Sequence, residues 1–375
     1  MLAWLDHPEL AAPQRVLVAG TNGKGSVAST LSAIATQAGR RTGLFTSPHL
    51  IRVHERFRID DQDIDNETFD RYGDRVLAAI EESQIPLSFF EAMVTLAVLW
   101  FRDEGVEVQI LEAGLGGARD GTRPATPTHA VITGVAMDHI KTLGPTLEHI
   151  AREKLDICEP GAKSVIHLPP SLQHLAPPAW QLGKEVRFRR TQAGMRLWTP
   201  EGRFDLPQPA LLGPHQRRNA AIAAATALRM GFDAETIGAG LQAVRWPARM
   251  QQIPGDPPTW IDGAHNPDAI RALLKTMEEI GIADGFTLVF GAHPRKNTGR
   301  LLRRLAARAG SVVLTTAERL ETVDELRAQL PDRRDVRTDP NCGRALQTAR
   351  LLGKPVVVAG SLYLAGAVLG WLETQ

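Results

Sequence analysis

The sequence predicts an α/β protein with two domains, each built on a mostly parallel β-sheet. Three observations support this prediction. Valine-rich apolar runs alternate along the chain with segments of helical period. A glycine-rich loop joins the first of these runs to the first helical segment. A chain of 375 residues is also too long for one ordinary hydrophobic core.

The elements of the N-terminal domain follow from local patterns. Strands are predicted in "RVLVAG", in "RTGLFTSPHL" as far as Ser47-Pro48, in "VEVQILEAGLGG" and in "HAVITGVAMDH". Helices are predicted in "SVASTLSAIATQAGR", which ends at Gly39, in "FFEAMVTLAVLWFRDEG" and in "TLEHIAREKLDI". Because strands and helices alternate, the sheet should be mostly parallel, with functional residues at the carboxyl ends of its strands.

The middle and the end of the chain have different patterns. From about Ser164 to Pro209 prolines are frequent and short strands such as "EVRFRR" and "GMRLW" predict a small β excursion. "GPHQRRNAAIAAATALRMG" then predicts a helix. A new α/β pattern in "PTWIDGAHNPDAIRALLKTMEEIG", "FTLVFGAHP", "GSVVLTTA" and "KPVVVAGSLYLAG" predicts a Rossmann-like C-terminal domain. With the boundary near Trp246-Pro247, the domains are residues 1–246 and 247–375.

Composition and charge exclude several classes of protein. The 43 basic and 42 acidic residues nearly balance, which gives no electrostatic case for binding nucleic acid or a membrane surface. Cys158 and Cys342 match no metal-ligand spacing and are too few for a disulfide scaffold. The N-terminus does not resemble a signal peptide, and the apolar-rich run Phe89–Phe101 is too short to span a bilayer. We expect a cytoplasmic monomer that acts on small molecules.

The stretch "VLVAGTNGKGSVAST" indicates a phosphate-binding loop of unusual form. Gly25 follows Lys24, and the hydroxyl of the usual G-x-x-x-x-G-K-[ST] pattern comes one place later, at Ser26. Gly20, Gly23 and Gly25 allow consecutive N–H groups to point at one anion, and the following helix adds its positive end. Lys24 can reach the outer phosphates. A glycine-rich turn with a chance lysine is the weaker alternative.

Polar residues follow other predicted strands. A serine before proline such as Ser47 is usually part of a turn, but beside a nucleotide its hydroxyl would suit a Mg²⁺ shell. Glu112 ends an apolar strand, where burial without a partner is costly and Mg²⁺ would satisfy the carboxylate. Taken singly, His139 and Lys154 have ordinary structural or solvated explanations.

In the second half, "DGAHNP" permits two interpretations. Asp262 and His265 follow a strand, as a ribose or phosphate clamp would. The same letters are also consistent with a turn in which Asn266 or Asp268 caps the next helix.

Taken together, the motifs resemble those of the folylpolyglutamate synthase and dihydrofolate synthase family, a branch of the Mur ligases. They occur in the family's order and span Gly20 to Leu364. The resemblance rests on "GTNGKGS", "TSPHL", "E-x-G-L-G-G-x-x-D-x-T", "DH…LG-x-T-L-E-x-I-A-x-E-K", "G-x-H-Q-x-x-N-A", "W-P-x-R", "DGAHNP" and "GSLYL". It implies an ATP-dependent, ADP-forming amide ligase that uses Mg²⁺. In the family, ATP phosphorylates a carboxylate of folate or dihydropteroate, and glutamate then attacks the acyl phosphate.

The resemblance also implies roles for individual residues. Ser47 and Glu112 are expected to bind a first Mg²⁺ and His139 a second. Lys154 matches the lysine that the family carbamylates, which would convert a repelled ammonium into an anionic metal ligand. Nucleotide contacts are expected from Thr21, Asn22, Gly23, Lys24, Gly25, Ser26, Asn219, Arg249, Asp262 and His265. Lys24, His139, Lys154 and His265 are assigned to catalysis, and Asp120, Arg123, Lys296 and Ser361 to the substrates.

Departures from the family pattern fall on the acceptor side and leave one alternative open. Gly20 lies close to the start of the sequence, whereas the family usually has several dozen residues before this loop. Arg123 replaces an asparagine and adds a cation beside the "GLGG" strand end, which would favour an acceptor with more negative charge. In "RKN" only Lys296 matches the usual D-K-D. The alternative is the same ligase chemistry on a non-folate carboxylic acid. A nucleotide-driven switch would not need "DGAHNP" and "GSLYL", and an inactive relative would not need all of the expected metal and phosphate residues.

Overall fold

The computed structural model describes residues 1–294 and 298–375. They form two compact units. The first contains Met1–Ala210 and Gln216–Arg245, and the second contains Leu211–His215 and Trp246–Gln375. Each unit has a largely parallel sheet with helices packed on it, so the predicted α/β class is confirmed.

The main sheet of the first unit contains parallel strands at its centre and a short antiparallel edge. Its strands are β1 (Gln14–Ala19), β2 (Thr42–Phe45), β3 (Phe57–Ile59), β4 (Gln62–Asp63), β5 (Val108–Glu112), β6 (His129–Ile132), β7 (Val165–Ile166) and β8 (Trp180–Gln181). Their order is β4-β3-β2-β5-β1-β6-β7-β8, and only the pairs that include β3 are antiparallel. In register, Val18 of β1 pairs with Glu112 and Ala19 pairs with Ile132. The carboxyl ends of β1, β5 and β6 therefore meet at one edge.

Alternation along β1 shows that this sheet is covered on both faces. Leu17 and Ala19 belong to one hydrophobic cluster, and Val16 and Val18 belong to another. Period-two burial of this kind is what a strand between two helical layers requires. The helices of the unit are α1 (Lys24–Gln37), α2 (Asn66–Ser83), α3 (Phe89–Asp103), α4 (Ile140–Leu143), α5 (Leu147–Leu155), α6 (Pro214–Met230) and α7 (Ala234–Ala243), with α6 beginning in the segment that groups with the second unit.

The predicted β excursion is a separate antiparallel sheet. It consists of β9 (Arg187–Arg190), β10 (Gly194–Thr199) and β11 (Gly202–Pro207), with β10 in the centre. Met195, Leu197 and Leu206 point into the same cluster as α1 and α7. The excursion is thus part of the core of the first unit.

The second unit repeats the parallel α/β pattern. Its strands are β12 (Gln251–Ile253), β13 (Thr259–Ile261), β14 (Thr287–Phe290), β15 (Ser311–Leu314), β16 (Val336–Thr338) and β17 (Val356–Ala359). The order is β12-β13-β17-β14-β15-β16, and the pair β12–β13 is antiparallel. The helices are α8 (Pro267–Glu279), α9 (Thr298–Ala306), α10 (Val323–Ala328), α11 (Cys342–Arg350) and α12 (Leu362–Glu373). This arrangement confirms the predicted Rossmann-like unit.

None of the helices in the described ranges is long and apolar enough to cross a membrane.

Buried His129 makes the stability of the first unit depend on pH. Burial, together with the charges of Lys163 and Arg229, lowers the pKa of its imidazole from the ordinary 6.5 to about 4. Between these values the unfolded chain binds the proton more tightly than the folded chain does. The stability contribution is therefore present above pH 6.5 and is lost as the pH falls towards 4, by about 3 kcal/mol.

We predict that the variant His129→Gln loses less stability than the unchanged protein between pH 6.5 and 4. The measurement is the urea midpoint by circular dichroism at a series of pH values. His174→Gln, at an exposed histidine, is the control and should follow the unchanged protein. Parallel pH profiles for His129→Gln and the unchanged protein would contradict the assignment.

Candidate active site

The phosphate-binding loop connects β1 to α1 and is held by the end of β6. Gly20 has φ of 153°, and a Cβ there would overlap the hydroxyl of Thr133. The hydroxyl of Thr133 also donates to the carbonyl of Asn22 at 2.7 Å, and the amide of Thr21 donates to the carbonyl of Gly134 at 2.9 Å. A side chain at position 20 would separate the loop from this support, so glycine is needed there.

Two amides on α6 support the loop from the other side. Gln216 donates through Nε2 to the hydroxyl of Ser26 at 3.2 Å, and Asn219 donates to Oε1 of Gln216 at 2.9 Å. A Cβ on Gly23, whose φ is 89°, would come within 2.8 Å of Oδ1 of Asn219. Asn219, expected to contact the nucleotide, is therefore packed against the loop. Gln216 was not singled out from the sequence, although it lies in the quoted motif "GPHQRRNA".

Two lysines converge on a single carbonyl. The ammonium groups of Lys24 and Lys154 each donate to the carbonyl oxygen of Gly20 at 3.2 Å. Lys154 is only 3% exposed. Burial, with the neighbouring charge of Lys24, lowers the pKa of Lys154 to about 8, against the attraction of Asp138 and Asp120. Two cations this close are repulsive, and an anion bound at the loop would relieve the repulsion.

Ser47 and Glu112 lie together at the ends of β2 and β5. The backbone amide of Ser47 donates to Oε2 of Glu112 at 3.1 Å, and Glu112 is 4% exposed. The register pairs Glu112 with Val18, two residues before Gly20. A buried carboxylate beside a phosphate loop fits a hard divalent cation that also binds phosphate oxygens.

His139 is placed differently from Glu112. Its side chain is 51% exposed, and it precedes the short helix α4 with φ of 49°. Its Nε2 lies 3.9 Å from Oδ2 of Asp138. Asp138 was not assigned a role from the sequence. Its negative charge attracts the ammonium of Lys154 and raises the pKa of that group, against the effect of burial. Across residues 1–294 and 298–375, no three His, Cys, Asp or Glu side chains gather as a metal site. Mg²⁺ usually keeps waters and phosphate oxygens, so one buried carboxylate is compatible with it.

Two residues assigned to the substrates have partners within the protein. The carboxylate of Asp120 accepts from the amide of Leu115 at 2.8 Å and from the amide and hydroxyl of Thr122. It thereby shapes the "GLGG" loop. Arg123 donates to Asp156 at 2.9 Å and also to Glu159.

The ion pairs of Arg123 correct one argument from the sequence. The cation that was expected to favour a more anionic acceptor is already compensated by two carboxylates. Lys296 and the neighbouring Arg295 lie outside the described residues.

In the second unit, Asp262 accepts hydrogen bonds from the backbone next to Arg249 and next to His265, the other two residues of this unit expected to bind nucleotide. Asp262 accepts from the amides of Met250 and Ala264, both at 2.9 Å. Burial raises the pKa of this carboxyl, while nearby Arg249 opposes the shift. His265 donates from Nδ1 to the carbonyl of Gly263 at 2.8 Å, which defines its tautomer. Asp262 thus positions the loop that carries His265.

The capping interpretation of "DGAHNP" is confirmed, with Asn266 as the capping residue. The side chain of Asn266 accepts from the amide of Ala269 at the start of α8. In the same unit Ser361 caps α12 by accepting from the amide of Tyr363 at 3.1 Å, and it is 3% exposed.

Exposed apolar side chains near the strand ends were not identified from the sequence. Ile51, Phe89, Met137 and Ile140 are all large, apolar and exposed. Ile51 follows the loop after β2, Phe89 begins α3, and the other two follow β6. The guanidinium of Arg56 lies 5.6 Å from the centre of the Phe89 ring. Exposed apolar groups at the ligand-binding edge of a sheet are typical of a binding surface.

Two models of known protein families match this chain, one in its N-terminal half and one in its C-terminal half. Residues 18–168 match the Mur ligase middle domain, and residues 248–362 match the Mur ligase glutamate ligase domain. The folylpolyglutamate synthase of Lacticaseibacillus casei is 32% identical over 94% of this chain and 88% of its own length. The chain belongs to the folylpolyglutamate synthase and dihydrofolate synthase family.

Other members of the family extend the comparison. The dihydrofolate synthase/folylpolyglutamate synthase of Bacillus subtilis is 30% identical over 83% of this chain and 78% of its own length. The chain spans 45% of a Haloferax volcanii relative, a probable bifunctional folylpolyglutamate synthase/dihydropteroate synthase, with 32% identity over 93% of this chain. The solved structure of E. coli FolC in complex with ADP, without folate substrate, matches with a TM-score of 0.90 and 28% identity over 99% of this chain and 92% of that chain.

The contact between Gly23 and Asn219 generates a prediction for this family member. Gly23→Ala should weaken ATP binding by roughly tenfold or more, because it combines a strained backbone with a collision against the amide that supports the loop. The measurement is titration calorimetry with a non-hydrolysable ATP analogue.

Gly39→Ala is the matched control. Gly39 also has a left-handed backbone, with φ of 71°, but a Cβ there meets nothing within 4 Å. Gly39→Ala should therefore cost stability without changing nucleotide affinity. Equal affinities for the two variants would show that the Asn219 contact is irrelevant to the loop.

Proposed function

We propose that this chain is an ATP-dependent, ADP-forming ligase that adds glutamate to a carboxylate of folate or dihydropteroate through an acyl phosphate. The observation that carries the proposal is the pair of ammonium groups on the Gly20 carbonyl. Their charge is concentrated at the phosphate loop, one strand away from buried Glu112. A site of this kind suits transfer of a phosphoryl group.

Solved relatives support the choice of ligands. E. coli FolC has been solved in complex with DHPP and ADP, and it matches this chain with a TM-score of 0.88 and 27% identity. The bifunctional folylpolyglutamate synthase/dihydrofolate synthase of Yersinia pestis has been solved with AMPPNP and Mn ion, with a TM-score of 0.89 and 29% identity. We therefore propose ATP, a divalent cation and a folate-type acceptor for this chain.

The proposed reaction has two steps. An acceptor carboxylate oxygen attacks the γ-phosphorus of ATP, the bond to ADP breaks, and an acyl phosphate forms. The amine of glutamate then attacks the acyl carbon, loses a proton, and the tetrahedral intermediate expels phosphate to leave the amide. In the first step, Lys24 and the loop amides of Asn22, Gly23, Gly25 and Ser26 position the phosphates and compensate their charge, while the amide of Thr21 holds the loop to the end of β6.

We propose that Glu112 and Ser47 hold Mg²⁺ and that His139 and Lys154 serve a second metal position. Bound Mg²⁺ would supply positive charge to the phosphate oxygens. The carboxylate of Glu112 is buried at the edge of the sheet, where a bound cation would compensate its charge. His139 is exposed immediately before α4, so its side chain is accessible to a ligand.

A carbamate on Lys154 is also part of the proposal. The amine of Lys154 would add to CO₂ and release a proton, which replaces a cation by an anion next to Lys24. The support is structural, because Lys154 is buried and its ammonium shares the Gly20 carbonyl with Lys24. The change would turn two repelling cations into an attractive pair.

Residues of the second unit would contact the nucleotide and the amino acid, and exposed apolar side chains of the first unit would contact the acceptor. Arg249 and His265 would contact the nucleotide, with Asp262 positioning their loop, while Asn219 supports the phosphate loop in the first unit. Ser361 would lie near the amino-acid substrate. We propose that Phe89, with Ile51, Met137 and Ile140 at the same edge of the sheet, contacts the ring system of the acceptor. Folate-type acceptors are flat and aromatic, which suits an exposed phenylalanine.

We further propose that the enzyme is a cytoplasmic monomer. Cys158 and Cys342 are both free thiols, as expected in a reducing compartment. Light scattering on the purified protein measures the oligomeric state, and a dimer would revise this part of the proposal.

The function is tested by phosphate release with ATP, Mg²⁺ and glutamate. We expect release with tetrahydrofolate or dihydropteroate and not with unrelated carboxylic acids, together with an acceptor heavier by one glutamyl residue in mass spectrometry. Lys24→Ala should lower the rate on the order of 10²-fold or more, because it removes a positive charge that stabilises the transferred phosphoryl group.

Arg123→Asn should leave the acceptor KM unchanged, because the guanidinium of Arg123 is held by Asp156 and Glu159. Turnover only with non-folate acids would refute the proposed acceptor.

A separate prediction concerns Lys154. Lys154→Ala should reduce turnover by about 10²-fold, with partial recovery when acetate or propionate is added to replace the missing carboxylate. Arg152→Ala, on the same helix but 63% exposed, is the control and should remain within about twofold of the unchanged enzyme. Failure of ¹³C NMR to detect a carbamate in labelled bicarbonate would exclude the modification.

A further inference from the structure

We infer that Arg319, supported by the ring of Tyr363, binds a carboxylate group of the incoming amino acid. The inference rests on the proposed ligase function and assigns to the second unit a binding residue for the amine substrate.

Three loops meet at the carboxyl edge of the second sheet. The glycines after β14 and β17 allow close approach, since a Cβ on Gly291 would come within 2.8 Å of the carbonyl of Thr315, and one on Gly360 within 2.6 Å of the carbonyl of Gly291. The Gly291 Cβ would also lie 3.3 Å from Leu320 and 3.5 Å from Leu364 of α12. The loop after β15, which carries Arg319, is therefore held beside the start of α12.

Arg319 occupies a constrained position in this loop. Its φ is 66°, in the left-handed region that a residue with a branched or long side chain rarely adopts. The amide of the next residue, Leu320, donates back to the carbonyl of Ala317 at 3.1 Å, and the amide of Glu321 donates to the carbonyl of Ala292 at 2.9 Å. The turn is thus tied to the end of β14. Non-glycine residues in this conformation cluster at binding and catalytic sites.

The guanidinium of Arg319 is presented to solvent on an aromatic support. Its central carbon lies 5.8 Å from the centre of the Tyr363 ring, and its side chain is 63% exposed. Tyr363 directly follows Leu362, and its amide donates to Ser361, the residue assigned to the amino-acid site. Interactions with Tyr363 and with Glu318 raise the pKa of the guanidinium, so the positive charge is permanent.

Glu318 does not take the place of a ligand. It lies 3.4 Å from Nε of Arg319 but is itself 87% exposed. An ion pair between side chains so exposed is weak and screened by salt, so a substrate carboxylate can compete for the guanidinium.

The chemistry of the substrate matches this arrangement. A guanidinium has several N–H donors and binds a carboxylate through two parallel N–H···O bonds, so the hydrogen bond of Arg319 to the Tyr363 side chain and its contact with Glu318 leave donors for a substrate. Glutamate brings two carboxylates, and a ligase that selects it over glutamine needs a fixed cation for one of them. The matched segment 248–362, described as a glutamate ligase domain, contains Arg319.

The test combines substitutions of the protein with substitutions of the substrate. Arg319→Ala should raise the KM for glutamate roughly tenfold to a hundredfold, while the KM values for ATP and the folate acceptor change less than about twofold. Arg319→Lys should recover only part of the loss. Glutamine and isoglutamine, each lacking one carboxylate, are then measured as inhibitors of both enzymes. The carboxylate bound by Arg319 is the one whose removal no longer weakens binding in Arg319→Ala.

Arg334→Ala is the matched control. Arg334 is exposed in the same unit and precedes β16, at the opposite, amino edge of the sheet. It should leave every KM unchanged. The inference is overturned if Arg319→Ala leaves the glutamate KM within twofold, if the ATP KM rises instead, or if Arg334→Ala has the same effect.

Failure of the proposed function gives a different result. In that case the unchanged protein would release no phosphate with ATP, acceptor and glutamate. Binding of ¹³C-labelled glutamate by NMR then decides the role of Arg319 directly. Line broadening with the unchanged protein that is lost in Arg319→Ala supports the inference, and no broadening, or equal broadening in both, refutes it.

Discussion

The shared carbonyl of Gly20 is the interaction on which the first unit's site depends. Lys24 comes from the start of α1 and Lys154 from the end of α5, and both ammonium groups reach the same oxygen. This requires the backbone at Gly20 to be accessible from two sides. Thr133 and Gly134 hold the loop from β6, and Gln216 and Asn219 hold it from α6. The loop is therefore held from two sides, and the repulsion between its two ammonium groups is opposed by the attraction of Asp138 and Asp120 for Lys154.

Both units place their polar loops at the carboxyl edge of a largely parallel sheet. In both parallel sheets, loops at the carboxyl ends carry polar side chains, while the central strands are buried and largely apolar. The first unit uses this edge for the phosphate loop and Glu112. The second uses it for Asp262, His265, Ser361 and Arg319. Buried apolar strands supply stability, and the loops are thereby available for chemistry.

Some parts of the site could be predicted from the sequence and others could not. The loop, α1 and the polar residues after the strands are local patterns, and they were predicted correctly as elements. Gln216 was missed because its partner Ser26 is 190 positions away. Arg123 was interpreted as an available cation because the two carboxylates that pair with it, those of Asp156 and Glu159, lie 33 and 36 residues later in the sequence. Contacts between residues so far apart in sequence depend on how the helices and strands pack together. The hydrophobic periodicity of a segment carries no information about that packing.

The sequence by itself determined the α/β class, the positions of the strand ends and the need for glycine in the phosphate loop. These follow from local preferences, because apolar period and backbone freedom act over a few residues. Only the tertiary structure decided that β1 lies between β5 and β6, and hence that Glu112 is in register with Val18. It also decided that Lys154 is buried against Gly20 and that Arg319 lies over Tyr363. The reason is physical: the burial and the charge of a side chain depend on neighbours that the chain brings together only when its sheets assemble.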